Sequence, residues 1–150
     1  YSIQGHMVSN EKIFQHLSFC SPSMEIIEEF TLIEFLTYHF SFKKTNHTIK
    51  HIIDFIGLQE ATNKRIVHFS SGMKQRVKLA QAFFADTEML LLDEPCTNLD
   101  EKGIHLYHQL TNEYTKNRLV IVASNDERET SFCSERVVLS SAGKEINHKS

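Results

Sequence analysis

Asp93 and Glu94 stand together at the end of an apolar run, Leu90-Leu91-Leu92, and Pro95 follows at once. The plain reading of this pair is two solvated acids on a loop. The chemical reading starts from the run itself, because a short continuous apolar stretch fits a strand buried on both faces of a parallel sheet. Ligands of α/β proteins bind at the C-terminal edge of such a sheet. A carboxylate at that edge, from Asp93, offers the hard oxygen ligands that a hydrated Mg²⁺ takes. Glu94 comes next in the chain, points elsewhere, and could orient or deprotonate a water. A second cluster, Ser70-Ser71-Gly72, opens a helical pattern. The first N–H groups of a helix have no internal partners and the dipole there favours an anion. Small residues let a phosphate come close. The plainer alternative makes Ser70 an N-cap and Gly72 a tight turn.

These residues need elements to hold them. Ile13 to Phe19 has short strand character, with Pro22 as its stop. Thr31 and Glu34 form a T-x-x-E capping box, and Leu32, Phe35, Leu36 and Phe40 follow at helical spacing. Lys43 to His47 reads as a loop. Ile49, Ile52, Ile53 and Ile56 predict a second helix that Gly57 closes. Met73 to Phe84 is helical, with Val77, Ala80 and Phe84 on one stripe. Glu88 to Leu92 and Leu119 to Ala123 (LVIVA) predict buried strands, separated by an amphipathic helix from Glu101 to Tyr114. That helix carries Ile104, Tyr107, Thr111 and Tyr114 on one face. Arg136 to Leu139 predicts a third strand, which turns at Ser140 to Gly143 so that Lys144 to Ile146 pairs back. Strands alternating with helices imply an α/β layer on a parallel sheet.

The chain has 150 residues, 41% hydrophobic and 23% charged, with a net charge of -3. That balance suits one domain with a real core and gives no electrostatic reason to expect nucleic acid as a partner. No apolar run approaches the roughly 18 residues of a membrane span, and no signal peptide is visible. Cys20, Cys96 and Cys133 are odd in number and lack zinc spacing, so they read as free thiols of a reducing cytoplasm. His47 and His51 lie four apart, but no third metal ligand is obvious near them, and they read as a solvated face. The opening YSIQGHM is either a cloning remnant or a native strand and turn at Tyr1 to Gly5; the native reading is preferred.

Phe69 to Arg76 reads FSSGMKQR, Leu90 to Pro95 reads LLLDEP and Thr97 to Asp100 reads TNLD. In this order and at this spacing, the three resemble the signature, the Walker B strand with its catalytic glutamate, and the D-loop of ABC transporter nucleotide-binding domains. The resemblance covers nearly the whole chain. It implies an α/β fold: a partial P-loop NTPase (RecA-like) parallel sheet with an ABC-type helical subdomain. It divides the chain into a strand region with a degenerate Q-loop (1–22), a helical subdomain (23–68), and the signature, Walker B, D-loop and H-loop region (69–150). The implied cofactors are ATP and Mg²⁺. Asp93 is then the metal ligand, Glu94 a catalytic residue, and Ser70, Ser71 and Gly72 lie on the nucleotide. Asp100 is placed at the interface with a second ATP-binding subunit, since in this family the signature of one protomer completes the ATP site of the other.

The sequence departs from the family in four places. No G-x-x-x-x-G-K-[ST] phosphate loop is present: of Gly5, Gly57, Gly72, Gly103 and Gly143, none precedes Lys-Ser or Lys-Thr. The expectation is that the N-terminal third of the domain was left out of this chain, with Tyr1 to Gly5 matching the strand after the phosphate-loop helix. The signature is variant at Phe69, Ser71 and Met73, where Leu, Gly and Gln are commonest. Pro22 stands roughly where the family has its Q-loop Gln. Asn125, after LVIVA, stands where the family has a switch histidine. An Asn amide hydrogen-bonds a phosphate but never becomes cationic.

The function expected from the resemblance is the C-terminal part of an ATP-hydrolysing subunit that powers an ABC transporter of exporter type. The partners are a membrane-spanning subunit, onto which the helical lobe docks, and a second ATP-binding subunit. The location is then the cytoplasmic face of a membrane. The alternative is a soluble or degenerate ATP-binding module with slow or no turnover, which Asn125 and Pro22 favour and Glu94 opposes. The 46 residues of segment 23–68 leave no room for the long coiled-coil arm of chromosome-maintenance ATPases.

Overall fold

Leu90 and Leu92 alternate with Met89 and Leu91, and the alternation decides which side of the sheet is the core. In the computed structural model, which describes residues 2–3, 6–7, 10–140 and 143–148, Leu90 and Leu92 are buried while Met89 and Leu91 are half-buried. The strands are β1 (Ser2–Ile3), β2 (His6–Met7), β3 (Leu17–Cys20), β4 (Met89–Asp93), β5 (Leu119–Ala123), β6 (Glu135–Ser140) and β7 (Gly143–His148). The helices are α1 (Leu32–Phe42), α2 (Ile49–Phe55), α3 (Ser71–Phe83), α4 (Glu101–Tyr114) and α5 (Glu127–Thr130). Strands β3, β4 and β5 form a parallel sheet with β4 in the middle.

Register fixes the two faces of that sheet. Ser18, Leu90 and Val120 lie side by side, as do Cys20, Leu92 and Val122, and these rows face the core. The core is one continuous cluster that runs from Leu32, Leu36, Ile52 and Ile56 of the helical lobe through Val77 and Phe83 of α3 to Leu106 and Leu110 of α4. The opposite face carries the rows Leu17–Met89–Leu119 and Phe19–Leu91–Ile121. There Phe19 is 44%, Leu119 55% and Ile121 49% exposed. Burial of β4 and β5 on both faces is therefore corrected: among the described residues, only one face is covered. A strand cannot itself determine whether its second face is packed; that depends on what the rest of the protein lays against it.

The local signals hold at the helix ends. Thr31 accepts from Glu34 N and Glu34 accepts from Thr31 N, completing the capping box of α1. The Glu34 carboxyl is held below its usual range by the Thr31 N–H first and by the Thr31 hydroxyl, both of which donate to Oε2. Gly57, at φ 69°, follows α2 in the left-handed conformation that glycine adopts without penalty. A bridge between Thr31 and Arg65 closes the lobe on itself, and packing of α1 on α3 ties it to the rest.

Three expectations differ from the structure. Asn10 to Gln15 is a 3-10 helix, so the strand expected from Ile13 begins only at Leu17, where pairing with β4 starts. β6 pairs antiparallel with β7 as the expected hairpin, but among the described residues it joins no strand of the parallel sheet and exposes Val137 and Val138, so it is not a third buried strand. The turn at 141–142 lies outside the described residues. His47 and His51 are not a plain solvated face: their rings stack on each other at 5.1 Å and meet Phe84 and Tyr114 edge-on. At the N-terminus Ser2–Ile3 pairs with His6–Met7, while Tyr1, Gln4 and Gly5 lie outside the described residues.

Candidate active site

The chain leaves β4 at Asp93 and turns sharply. Glu94 adopts φ 41° and Asn98 φ 64°, both in the left-handed region that a non-glycine residue enters at a cost of about 1–2 kcal/mol. Glu94 is held by its own N–H, which donates to Ala123 O of β5 at 2.9 Å. Thr97 N donates to Glu94 O and Leu99 N to Cys96 O, so the turn is closed by backbone bonds. This geometry separates the two acids: Asp93 stays in the sheet register opposite Ala123, and Glu94 swings to the rim.

Asn125 follows β5 by two residues and therefore arrives at the same edge. Glu94, Thr97, Asn125 and Arg128 line one cleft of about 730 Å³. Asp126 opens α5 by accepting from Arg128 N, and its bonds to Arg128 hold its carboxyl below the usual range. The structure thus brings Glu94 and Asn125 to one opening, with Asp93 at the strand end beside it.

Ser70, Ser71 and Gly72 come together elsewhere. Ser70 is the N-cap of α3 and accepts from Met73 N at 3.2 Å, so the plain N-cap reading holds. Gly72 packs closely on the next turn: a Cβ there would lie 3.1 Å from Asn98 O, which would have to give by a few tenths of an ångström. Asp100 caps α4 through Gly103 N at 2.8 Å and pairs with Arg76 of α3 at 3.2 Å. Chiefly that bond from Gly103, aided by Arg76, holds the Asp100 carboxyl below its usual range. The start of α3 and the Thr97–Asp100 turn thus form one surface, whereas neither Ser70–Gly72 nor Asp100 lines the Glu94–Asn125 cleft.

The sequence model of the ABC transporter family matches residues 3–97. The chain belongs to the ABC transporter family. It is 34% identical over 119 residues to an uncharacterised ABC transporter ATP-binding protein of Bacillus subtilis, YxlF, covering 76% of this chain and 40% of that protein. It is 34% identical over 118 residues to the spermidine/putrescine import ATP-binding protein PotA of Mycoplasmopsis synoviae, covering 74% and 26%. It is 29% identical over 124 residues to a Nod factor export ATP-binding protein of Rhizobium johnstonii, covering 79% and 40%. The chain thus spans well under half of each of these relatives. Among solved structures, a transporter described as of the metal-chelate ABC type, in an inward-facing conformation, superposes with a TM-score of 0.68 at 15% identity. The match covers 89% of this chain and 58% of that one, and it establishes the ABC-type α/β fold. No helix among the described residues is long and apolar enough to cross a membrane.

Two residues that were given no role are central to this region: Gln75, inside the FSSGMKQR stretch, and Glu129, outside all three motifs. Gln75 and Glu129 are polar yet only 2% and 4% exposed. Gln75 Nε2 donates to Pro95 O at 2.8 Å, and Glu129 Oε1 accepts from Cys96 N at 2.6 Å. In the sequence both look like ordinary polar positions of short helices, and nothing local marks them as buried.

The thiols Cys20 and Cys96 are buried on either side of Pro95. Burial raises both to about 12, helped at Cys96 by the neighbouring Glu129 carboxylate. At pH 8 roughly one in 10⁴ of such thiols is ionised, and the thiolate is the reacting form. Both are expected to alkylate about 10³-fold more slowly in the native protein than after denaturation. Residue-resolved mass spectrometry of alkylated protein checks this, and rapid native labelling of Cys96 would contradict the packing described.

Proposed function

We propose that this chain is the C-terminal part of an ATP-hydrolysing subunit that powers an ABC transporter of the exporting kind. The observation that carries the reading is the convergence of Glu94 and Asn125 on one cleft at the C-terminal sheet edge, next to Asp93. Asp93 fits a Mg²⁺ site: it is a half-buried carboxylate at a strand end, and Mg²⁺ is usually held by one or two carboxylates plus phosphate and water. Mg²⁺ there would neutralise charge developing on transferring phosphoryl oxygens. Glu94 orients the attacking water and takes its proton at a carboxylate oxygen. Asn125 donates its side-chain N–H to a phosphate oxygen from the other side of the cleft.

The surface formed by Ser70, Ser71, Gly72 and Asp100 is then the part offered to a second ATP-binding subunit. Its separation from the Glu94–Asn125 cleft supports that division, since one face serves its own nucleotide and the other serves the partner's. A groove of about 1060 Å³ between the 22–29 segment, α1 and α3 supports docking of the helical lobe on a membrane-spanning subunit. Ile27, Tyr38, Phe42 and Val67 line it and remain exposed. The exporting direction rests on the form of the signature, SSGMKQR, which resembles that of single-domain exporter subunits. The relatives named above include both an importer and an exporter subunit.

The test compares the 150-residue chain with the full-length protein. Calorimetry with millimolar Mg-ATP should give no measurable binding to the chain, which has no Gly-Lys-Ser/Thr phosphate loop. The full-length protein should bind ATP and hydrolyse it. Micromolar affinity in the chain alone, or a full-length protein without ATPase activity, would overturn the reading.

A further inference from the structure

Gln75 and Glu129 grip the same peptide group. Pro95 O and Cys96 N are the two polar ends of one peptide unit. The first accepts from Gln75 on α3, and the second donates to Glu129 on α5. A peptide plane can swing about the axis joining its two Cα atoms, and a hydrogen bond at each opposite edge removes that freedom. Both side chains are buried, where a polar group without its partner is costly. Glu129 is itself fixed, because its backbone oxygen accepts from Tyr107 Oη at 2.7 Å.

The gripped peptide lies one residue beyond Glu94. Proline fixes φ of Pro95 near −65°, so locking the 95–96 plane leaves the chain little freedom at Glu94. On its other side Glu94 is held by its bond to Ala123 O. The carboxylate therefore hangs between two anchored points, in a left-handed conformation that the surroundings must impose. The anchors lead to the two other groups of interest. α3 begins at Ser70–Gly72, and α5 follows Asn125 directly.

We infer that Gln75 and Glu129 are positioning residues that hold Glu94 in fixed relation to the start of α3 and to Asn125. This rests on the proposed ATP-hydrolysing reading. Gln75 lies outside the Glu94–Asn125 cleft, and Glu129, which reaches its wall, spends Oε1 on Cys96 N; each acts through the 95–96 peptide. A displacement of α3 or of the Asn125 segment is thereby transmitted to Glu94.

The test uses the full-length protein and isosteric pairs. Glu129→Gln keeps an acceptor for Cys96 N–H, whereas Glu129→Met and Gln75→Met keep the volume and lose the bond. Turnover of Glu129→Gln is expected within about 3-fold of the unsubstituted protein. Each Met variant should lose at least about 10-fold in kcat with KM within about 3-fold, as when an interaction that positions the reacting groups is lost. Hydrogen exchange at Cys96 N–H should speed up about 10-fold or more in the Met variants and stay slow in Glu129→Gln. The double Met variant should fall little below the worse single one, because both act on one peptide. If a Met variant does not fold, Gln75→Asn and Glu129→Asp, one methylene too short to reach, carry the same expectation. Unchanged kcat in the variants, equal loss in Glu129→Gln, or KM rising in step with the loss would overturn the clamp. An unsubstituted protein that does not turn over ATP defeats the proposed function and the positioning role together. Unsubstituted turnover with unaffected variants defeats the clamp alone.

Discussion

Glu94→Gln in the full-length protein is expected to slow ATP turnover by about 10²–10⁴-fold while leaving ATP binding in place, the usual contribution of a positioned general base. The amide is nearly isosteric with the carboxylate. The turn around it is held by backbone atoms, Glu94 N on Ala123 O and Thr97 N on Glu94 O, none of which the substitution touches. Among the described residues, the side chain's hydrogen bond is the contact from Thr97 Oγ1 to Glu94 Oε2, and at 3.5 Å it is weak. Asp93 stays in register with Ala123, so a metal ligand there keeps its place. What disappears is the negative charge that orients and deprotonates the water. ATP should therefore accumulate on the protein, and a nucleotide-bound dimer should become visible by size-exclusion chromatography. Single-turnover measurement separates chemistry from binding. A variant that turns over at the unsubstituted rate removes Glu94 from the role proposed for it.

Asn125→His is expected to raise the turnover rate by roughly one to two decades, with little change in nucleotide affinity. Phosphoryl transfer depends on positioning and on stabilising charge spread over the transferring oxygens. Asn125 supplies a neutral donor at the rim of the Glu94 cleft. A longer imidazole that becomes cationic adds a charge-assisted hydrogen bond, worth about 1.5–3 kcal/mol. Asn125 is exposed and the cleft is open, so the larger ring meets no packed neighbour. Nearby Asp126 and Glu127 favour the protonated form of a histidine placed there. The gain should accordingly be larger on the acid side of neutral and fade as pH rises through the imidazole pKa. Steady-state assays from pH 6 to 8 on both forms decide the matter. An equal or lower rate for the histidine variant means that the site is built around the amide.

The two substitutions probe one cleft but differ in how far the sequence announced them. The place of Glu94 was legible because an acid pair ending an apolar strand is a local pattern, whereas Asn125 was singled out by the family resemblance, which has a switch histidine after LVIVA. Helix ends were legible for the same reason. Thr31 with Glu34, Ser70 and Asp100 each cap the helix that follows them, by bonds spanning only three residues.

Gln75 and Glu129 were not legible. Their partners are 20 and 33 residues away along the chain, and a polar side chain on a helix looks the same in sequence whether solvent or a buried peptide receives it. The strand pattern of LVIVA was misleading for a related reason. Five apolar residues fix that a strand forms and that both of its faces can be buried, but Leu119 and Ile121 lie open here, because burial belongs to the pair of surfaces and not to one. The ERVVL stretch specified both a strand and its hairpin partner, because the turn that joins them is local, and it pairs with β7 as expected.

The sequence by itself determined where α1 to α4 lie, where β4 and β5 lie and which residue types reach the sheet edge, because caps and periodicity are set by neighbours within one or two turns. Only the tertiary structure decided that Glu94 and Asn125 share a cleft, that Ser70–Gly72 and Asp100 lie apart from it, and that one peptide joins α3 to α5. Those relations depend on parallel register and on hydrogen bonds between distant segments, and neither exists until the chain has packed.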